Sequence, residues 1–175
     1  MSFTAPPPSP APTAPLTWVA QHEDDTARLA QRLAAAMRAH PAWADALLTL
    51  RGDLGAGKTT LVRHLLRALG VSGRIKSPTY ALVEPYTLPA LGQPPLPAWH
   101  ADLYRFDHPR EWEDAGLREL FASAGLKLVE WPEKAGDLLP MPDLDLHFHL
   151  DGDDTRRIVL TASTPRGAAL RDALA

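Results

Sequence analysis

The chain has neither a cysteine nor an asparagine. Without cysteine there can be no disulfide, no thiolate nucleophile and no cysteine-ligated metal, and an intracellular, cytoplasmic address fits. Without asparagine the Asn-Lys-x-Asp segment that reads guanine cannot be built, and no Asp-x-x-Gly follows the glycine loop described below, which excludes a guanine-nucleotide switch of that design. Cationic charge is also scarce. Lysine plus arginine number 18 against 21 aspartate plus glutamate, a formal charge of -3, so the basic surplus that unaided binding to a phosphate backbone usually needs is missing. A nucleic acid such as tRNA is therefore expected to reach this protein only through a partner. No apolar run approaches the roughly 20 residues of a membrane span, and no membrane association is expected. Residues 1–15 are rich in proline, alanine and threonine and have no basic start or apolar stretch, so they read as a disordered tail and not as a signal peptide.

What remains is ordinary for a globular domain: 175 residues, 45% apolar and 22% charged, enough to bury one core over residues 16–175. Leu16 to Ala20 suits a first strand. Asp24 or Asp25 is placed to cap a helix whose Leu29, Leu33, Ala36 and Met37 share a face, ending near His40-Pro41. Ala46 to Arg51 is a short apolar run of the kind buried on both faces of a parallel sheet, and it enters a glycine loop directly. A helix is expected from Lys58 to Leu69, stopped by Gly70. Strands follow at Tyr80–Leu88 and Ala98–Tyr104, with a proline-rich loop between them, then a helix from Pro109 through Phe121 and a buried strand at Leu126–Glu130. Asp143 to Leu150 alternates, with Leu144, Leu146, Phe148 and Leu150 on one face, and turns at Asp151-Gly152 into Thr155–Thr161 as an antiparallel hairpin. A last helix starts at Thr164 or Pro165. The order of elements predicts an α/β fold, P-loop NTPase-like and three-layered, with a central mixed sheet flanked by helices and a C-terminal antiparallel hairpin.

The chemistry is carried by Gly52-Asp53-Leu54-Gly55-Ala56-Gly57-Lys58-Thr59, followed by Thr60. Glycines at this spacing let successive backbone N–H groups converge on phosphate oxygens, and the following helix adds its positive end. Lys58, expected to stand exposed in the cradle, would reach the β- and γ-phosphates. Thr59 would offer its hydroxyl to Mg²⁺, and Thr60 lies toward the α-phosphate. Such a site needs carboxylates to hold the cation and orient water. Asp102, in Trp99-His-Ala-Asp-Leu-Tyr, and Glu130, closing Leu126-Lys-Leu-Val-Glu, both stand where an α/β sheet presents its carboxyl ends. Ser77-Pro78-Thr79-Tyr80 reads either as a nucleotide-sensing loop or as a plain turn.

Taken together, Gly52 to Thr60, Lys76-Ser-Pro-Thr-Tyr80, Leu82-Val-Glu-Pro-Tyr86, Asp102-Leu-Tyr-Arg105 and Val129-Glu-Trp-Pro132 resemble the TsaE family, formerly YjeE. These are small bacterial ATPases of tRNA threonylcarbamoyladenosine biosynthesis. The likeness spans about Leu16 to Thr161, and the loop Pro89–Pro97 is longer and richer in proline than the family pattern. It implies ATP and Mg²⁺ as cofactors and partnership with the TsaB and TsaD proteins, of which TsaD carries out the transfer to tRNA. Residue by residue it implies that Lys58 and Thr59 contact phosphate and magnesium, Thr79 is a switch threonine, Glu130 a magnesium-side carboxylate and Asp102 a catalytic one. Trp131 falls either beside the nucleotide or in packing.

Other features point less sharply. His147 and His149 share a strand face without a third ligand, and Trp18, Trp43, Trp99 and Trp112 suit packing. Arg156-Arg157 is a small basic spot. A small-molecule kinase would use the same loop, although no arginine-rich lid segment is present and only Arg105 lies near the acidic motifs. A nucleotide-gated binding module with incidental hydrolysis is the other alternative.

Overall fold

The structure is a computed structural model that describes residues 14–78, 80–152 and 154–175. The tail expected over residues 1–15 lies almost wholly outside the described residues. Among the described residues seven strands form one sheet in the order β1-β7-β6-β2-β5-β4-β3. They are β1 (Leu16–Ala20), β2 (Leu47–Arg51), β3 (Val83–Leu88), β4 (Leu96–Asp102), β5 (Leu126–Glu130), β6 (Leu144–Asp151) and β7 (Thr155–Ala162). The helices are α1 (Glu23–Ala39), α2 (Lys58–Ala68), α3 (Pro109–Asp114), α4 (Leu117–Ala122) and α5 (Pro165–Asp172). Among the described residues no helix is long and apolar enough to cross a membrane.

β2 occupies the middle because Leu47 to Leu50 are buried on both faces, the condition for a parallel strand covered above and below. It pairs in parallel with β5 and with β6, and β4 joins β5 in parallel. The outer pairs β6–β7, β7–β1 and β3–β4 are antiparallel, so the sheet is mixed. On one face Leu48, Leu50, Leu128 and Leu146 pack with Leu29 and Leu33 of α1 and Leu61 and Leu65 of α2. On the other, Leu47, Ala101 and Val129 pack with Trp112 and Leu117 of α3 and α4. Helices on both faces of a mixed sheet make the three layers expected from the element order, and the C-terminal hairpin is β6–β7.

Several element boundaries differ from the expected ones. His22, not Asp24 or Asp25, occupies the cap of α1; Asp25 sits in the first turn and accepts from the backbone N–H of His22 at 2.9 Å and of Gln21 at 2.8 Å. Those bonds hold its carboxyl below the usual aspartate range. The helix expected from Pro109 to Phe121 is two helices, because Gly116 adopts φ +63 and ends the first. β3 begins at Val83 and not at Tyr80: Leu82 takes a left-handed turn with φ +62, its N–H donating to Pro78 O at 2.8 Å. β4 begins at Leu96 because its pairing with Leu88 extends the ladder, and ends at Asp102, where the chain turns. Leu91, buried, pins the proline-rich loop. Leu150, beside the hairpin turn, is 47% exposed and does not join the inward stripe of Leu144, Leu146 and Phe148.

Candidate functional site

A cleft of about 290 Å³ opens at the carboxyl ends of β2, β4 and β5, against the start of α2. Its lining includes Leu54, Gly55, Gly57, Lys58, Thr59 and Thr60 from the glycine loop and the start of α2, Ser77 from the following loop, Asp102 from the end of β4 with Tyr104 and Arg105 just after it, and Glu130 and Trp131 from the end of β5. Parallel strands sharing one direction bring their carboxyl ends to one edge, and residues far apart in sequence meet there.

The loop's path requires glycine at its start. Gly52 has φ +133, and a Cβ there would sit 2.5 Å from Phe148 O, too close for any side chain. Gly57 has φ +103 and begins α2 without a side-chain cap. Among the described residues no side chain accepts from the backbone N–H groups of that first turn, which borders the cleft, a situation that suits an anion. Of the nine loop residues assigned to nucleotide binding, Gly52, Asp53 and Ala56 do not line the cleft. Ala56 is buried beneath the loop, while Gly52 and Asp53 turn their carbonyls to Lys58.

Lys58 is 4% exposed, not exposed as expected. Its Nζ donates to Gly52 O at 2.6 Å and Asp53 O at 2.8 Å and lies 4.2 Å from the centre of the Trp131 ring. The correction has a physical reason: the loop folds over its own lysine, supplying carbonyls and an aromatic face that together replace water. Burial draws the Lys58 ammonium pKa down, and the carboxylates of Glu130, Glu133, Asp102 and Asp53 oppose that shift.

Thr59 turns its hydroxyl to the Glu130 carboxylate, 2.8 Å from Oε1 and 3.0 Å from Oε2. Glu130 is 3% exposed. Asp102 stands beside it, since Asp102 and Glu130 are register partners at the ends of β4 and β5. Burial pushes the Asp102 carboxyl pKa up, opposed by the backbone N–H of Tyr104 donating to its Oδ1 at 3.0 Å. A fourth member was absent from the sequence reading. His100 is fully buried, and its Nε2 lies 2.8 Å from Glu130 Oε1. The signal was available in His100-Ala-Asp102, because residues two apart on a strand share a face.

Trp131 holds φ +58 ahead of Pro132, a conformation costing on the order of 1–3 kcal/mol for a bulky residue. In it the indole lies over Lys58 and against Tyr104, with ring centres 5.0 Å apart. Arg105, also lining the cleft, lies 4.6 Å from the centre of the ring of Tyr80, a residue 88% exposed. Thr79 lies outside the described residues. Elsewhere, His147 and His149 sit with ring centres 4.0 Å apart, and no group of three or more potential metal-ligating side chains occurs among the described residues.

A buried ammonium, uncapped helix amides, one hydroxyl and two carboxylates make a cleft suited to a polyphosphate and a hard cation. Thr59 and Glu130 present oxygen donors only, the donor type Mg²⁺ takes from proteins when phosphates and water complete its shell.

Residues 20–158 match the family described as threonylcarbamoyl adenosine biosynthesis protein TsaE. A tRNA threonylcarbamoyladenosine biosynthesis protein TsaE from Haemophilus influenzae is 42% identical over 121 residues, 69% of this chain and 73% of its own length. A Bacillus subtilis protein of the same name is 40% identical over 116 residues, 66% of this chain and 69% of its own. The crystal structure of Bacillus subtilis YdiB superposes with a TM-score of 0.70 at 33% identity, covering 91% of this chain and 93% of that one.

Proposed function

We propose, from the premise that this chain belongs to the TsaE family of tRNA threonylcarbamoyladenosine biosynthesis, that it binds ATP with Mg²⁺ in the β2–α2 cleft and hydrolyses it to ADP and phosphate in support of that modification. The observation that carries the reading is the convergence of Lys58, Thr59, Glu130 and Asp102 on one cleft. In this proposal the loop backbone and the first turn of α2 hold the phosphates, and Lys58 turns its ammonium to the β- and γ-oxygens. Mg²⁺, when bound, neutralises charge building on those oxygens. Thr59 and Glu130 hold its position, directly or through water. Asp102 orients the attacking water or takes its proton, a task helped by a carboxyl whose pKa burial has raised. Trp131 and Tyr104, ring against ring, form one side of the cleft.

The same reading places the protein in the cytoplasm as the nucleotide-driven component acting on a TsaB–TsaD assembly. A cleft this open has few groups to steady γ-phosphate charge, so partners are expected to complete it in trans. Phosphate release should rise clearly above the sum of the parts when TsaB and TsaD are added to the full chain. No change at saturating partner, together with transfer of label from γ-labelled ATP to a small acceptor, would instead favour a kinase. The net charge of -3 leads to a further expectation: isolated protein should bind tRNA weakly, with a shallow salt dependence in filter-binding assays. Submicromolar binding at physiological salt without partners would show that the surface has been misread.

A further inference from the structure

His100 is fully buried among sheet residues, yet an apolar side chain would fill the same volume without a polar group to satisfy. Among the described residues its one hydrogen bond goes to Glu130 Oε1, and its Nδ1 has no partner at all. A carboxylate only accepts, so a hydrogen on Nε2 is the assignment that makes this 2.8 Å contact a hydrogen bond. A buried ring with one nitrogen unsatisfied is destabilising as packing. It makes sense through the oxygen it touches. That oxygen is also 2.8 Å from the Thr59 hydroxyl, so Oε1 receives donors from two different elements, β4 and α2. Among the described residues Oε2 has only Thr59, at 3.0 Å. With Thr59 alone, the carboxylate could pivot about its terminal bond; a second donor from a neighbouring strand fixes its plane and leaves Oε2 with the acceptor capacity.

We infer that His100 is a positioning residue: its Nε2–H locks the Glu130 carboxylate so that the Thr59–Glu130 pair is preorganised to hold the divalent cation that accompanies the nucleotide. The inference rests on the nucleotide–Mg²⁺ reading of the cleft and extends it to a residue that does not line the cleft. Partners of this kind that orient a ligand from behind change metal affinity by about 10- to 100-fold when removed.

The test is calorimetric titration of the full chain with ADP at several free Mg²⁺ concentrations, without turnover. His100→Leu, which fills the site but donates nothing, should raise the Mg²⁺ needed for half-maximal tightening of ADP by about 10-fold or more, and leave ADP affinity in chelator within about twofold. His100→Asn, whose amide is too short to reach, should behave the same way, and it carries the test if the leucine variant does not fold. His100→Gln, whose amide nitrogen lies near the Nε2 position, should recover most of the loss. In a Glu130→Gln background, His100→Leu should add little, because both changes remove one interaction. A wild-type Mg²⁺ requirement in His100→Leu and His100→Asn overturns the inference, as does an undiminished His100 effect in the Glu130→Gln background. ADP binding by the wild type that ignores Mg²⁺ overturns the cleft reading itself, an outcome visible before any variant is made.

Discussion

Lys58→Ala should lower ATP affinity by a hundredfold or more, on the order expected when two charge-assisted contacts of about 1.5–3 kcal/mol each are lost. Because Lys58 is buried and its Nζ serves Gly52 O and Asp53 O, alanine also removes a donor and leaves space under Trp131. The fold should lose about 1–3 kcal/mol in the same variant. Lys58→Met separates the two effects: it fills the channel beneath the indole and keeps most of the thermal stability, but has no ammonium to give to phosphate. Calorimetric ATP titration beside thermal melts of both variants makes the comparison. An affinity within about threefold of wild type in a folded Lys58→Met protein would remove Lys58 from the site, since even one lost charged contact should exceed that.

The two carboxylates should fail differently. Glu130 touches the Thr59 hydroxyl, so Glu130→Gln should weaken magnesium-dependent nucleotide binding, with part of the loss recovered by extra Mg²⁺. Asp102, whose Oδ1 accepts only the Tyr104 N–H among the described residues, should matter in turnover. Asp102→Asn should keep MgATP affinity near normal while single-turnover hydrolysis falls about 10²-fold or more, the scale of a lost acid–base or positioning group. Stability supplies an independent sign. A carboxyl whose pKa is raised in the folded state binds protons more readily there than in the unfolded chain, so its contribution worsens as pH rises through that interval and the penalty is complete above it. Asp102→Asn should therefore melt no lower than wild type at neutral pH, and any advantage should shrink as pH falls toward the unfolded carboxyl value of about 4. If Asp102→Asn is the variant rescued by Mg²⁺ and Glu130→Gln the slow hydrolyser, the roles are reversed; normal hydrolysis in both would place neither at the reaction.

The strand, glycine loop and helix from Leu47 to Ala68 were readable because each is specified locally: a leucine-rich strand, glycines where φ is positive, and a helix that follows at once. Asp102 and Glu130 were readable as strand-end acids for the same reason. Their adjacency was not, because it depends on β4 pairing with β5 in one register, with Asp102 opposite Glu130. The same register brings His100 within 2.8 Å of Glu130 Oε1. The burial of Lys58 was missed because it comes from two carbonyls turned inward and an indole delivered by β5, neither of which the loop pattern encodes. Trp131 itself misleads: a residue before proline is ordinarily extended, yet it holds φ +58 here. The break at Gly116 was passed over because a helical pattern tolerates an isolated glycine, and only the folded chain shows this one closing α3.

The position of β2 in the sheet has a bearing on how the protein is born. Its two hydrogen-bonding neighbours, β5 and β6, both come later in the chain, and the sheet's first strand, β1, waits for β7. During vectorial synthesis the glycine loop therefore leaves the ribosome long before His100, Glu130 and the Phe148 carbonyl that hems in Gly52 have been made. Non-local parallel pairing of this sort is slow and leaves strand edges open while it waits. A stalled or truncated chain ending before β6 would leave the leucine-rich strand β2 with one side unpaired, an edge that the finished fold covers with β6.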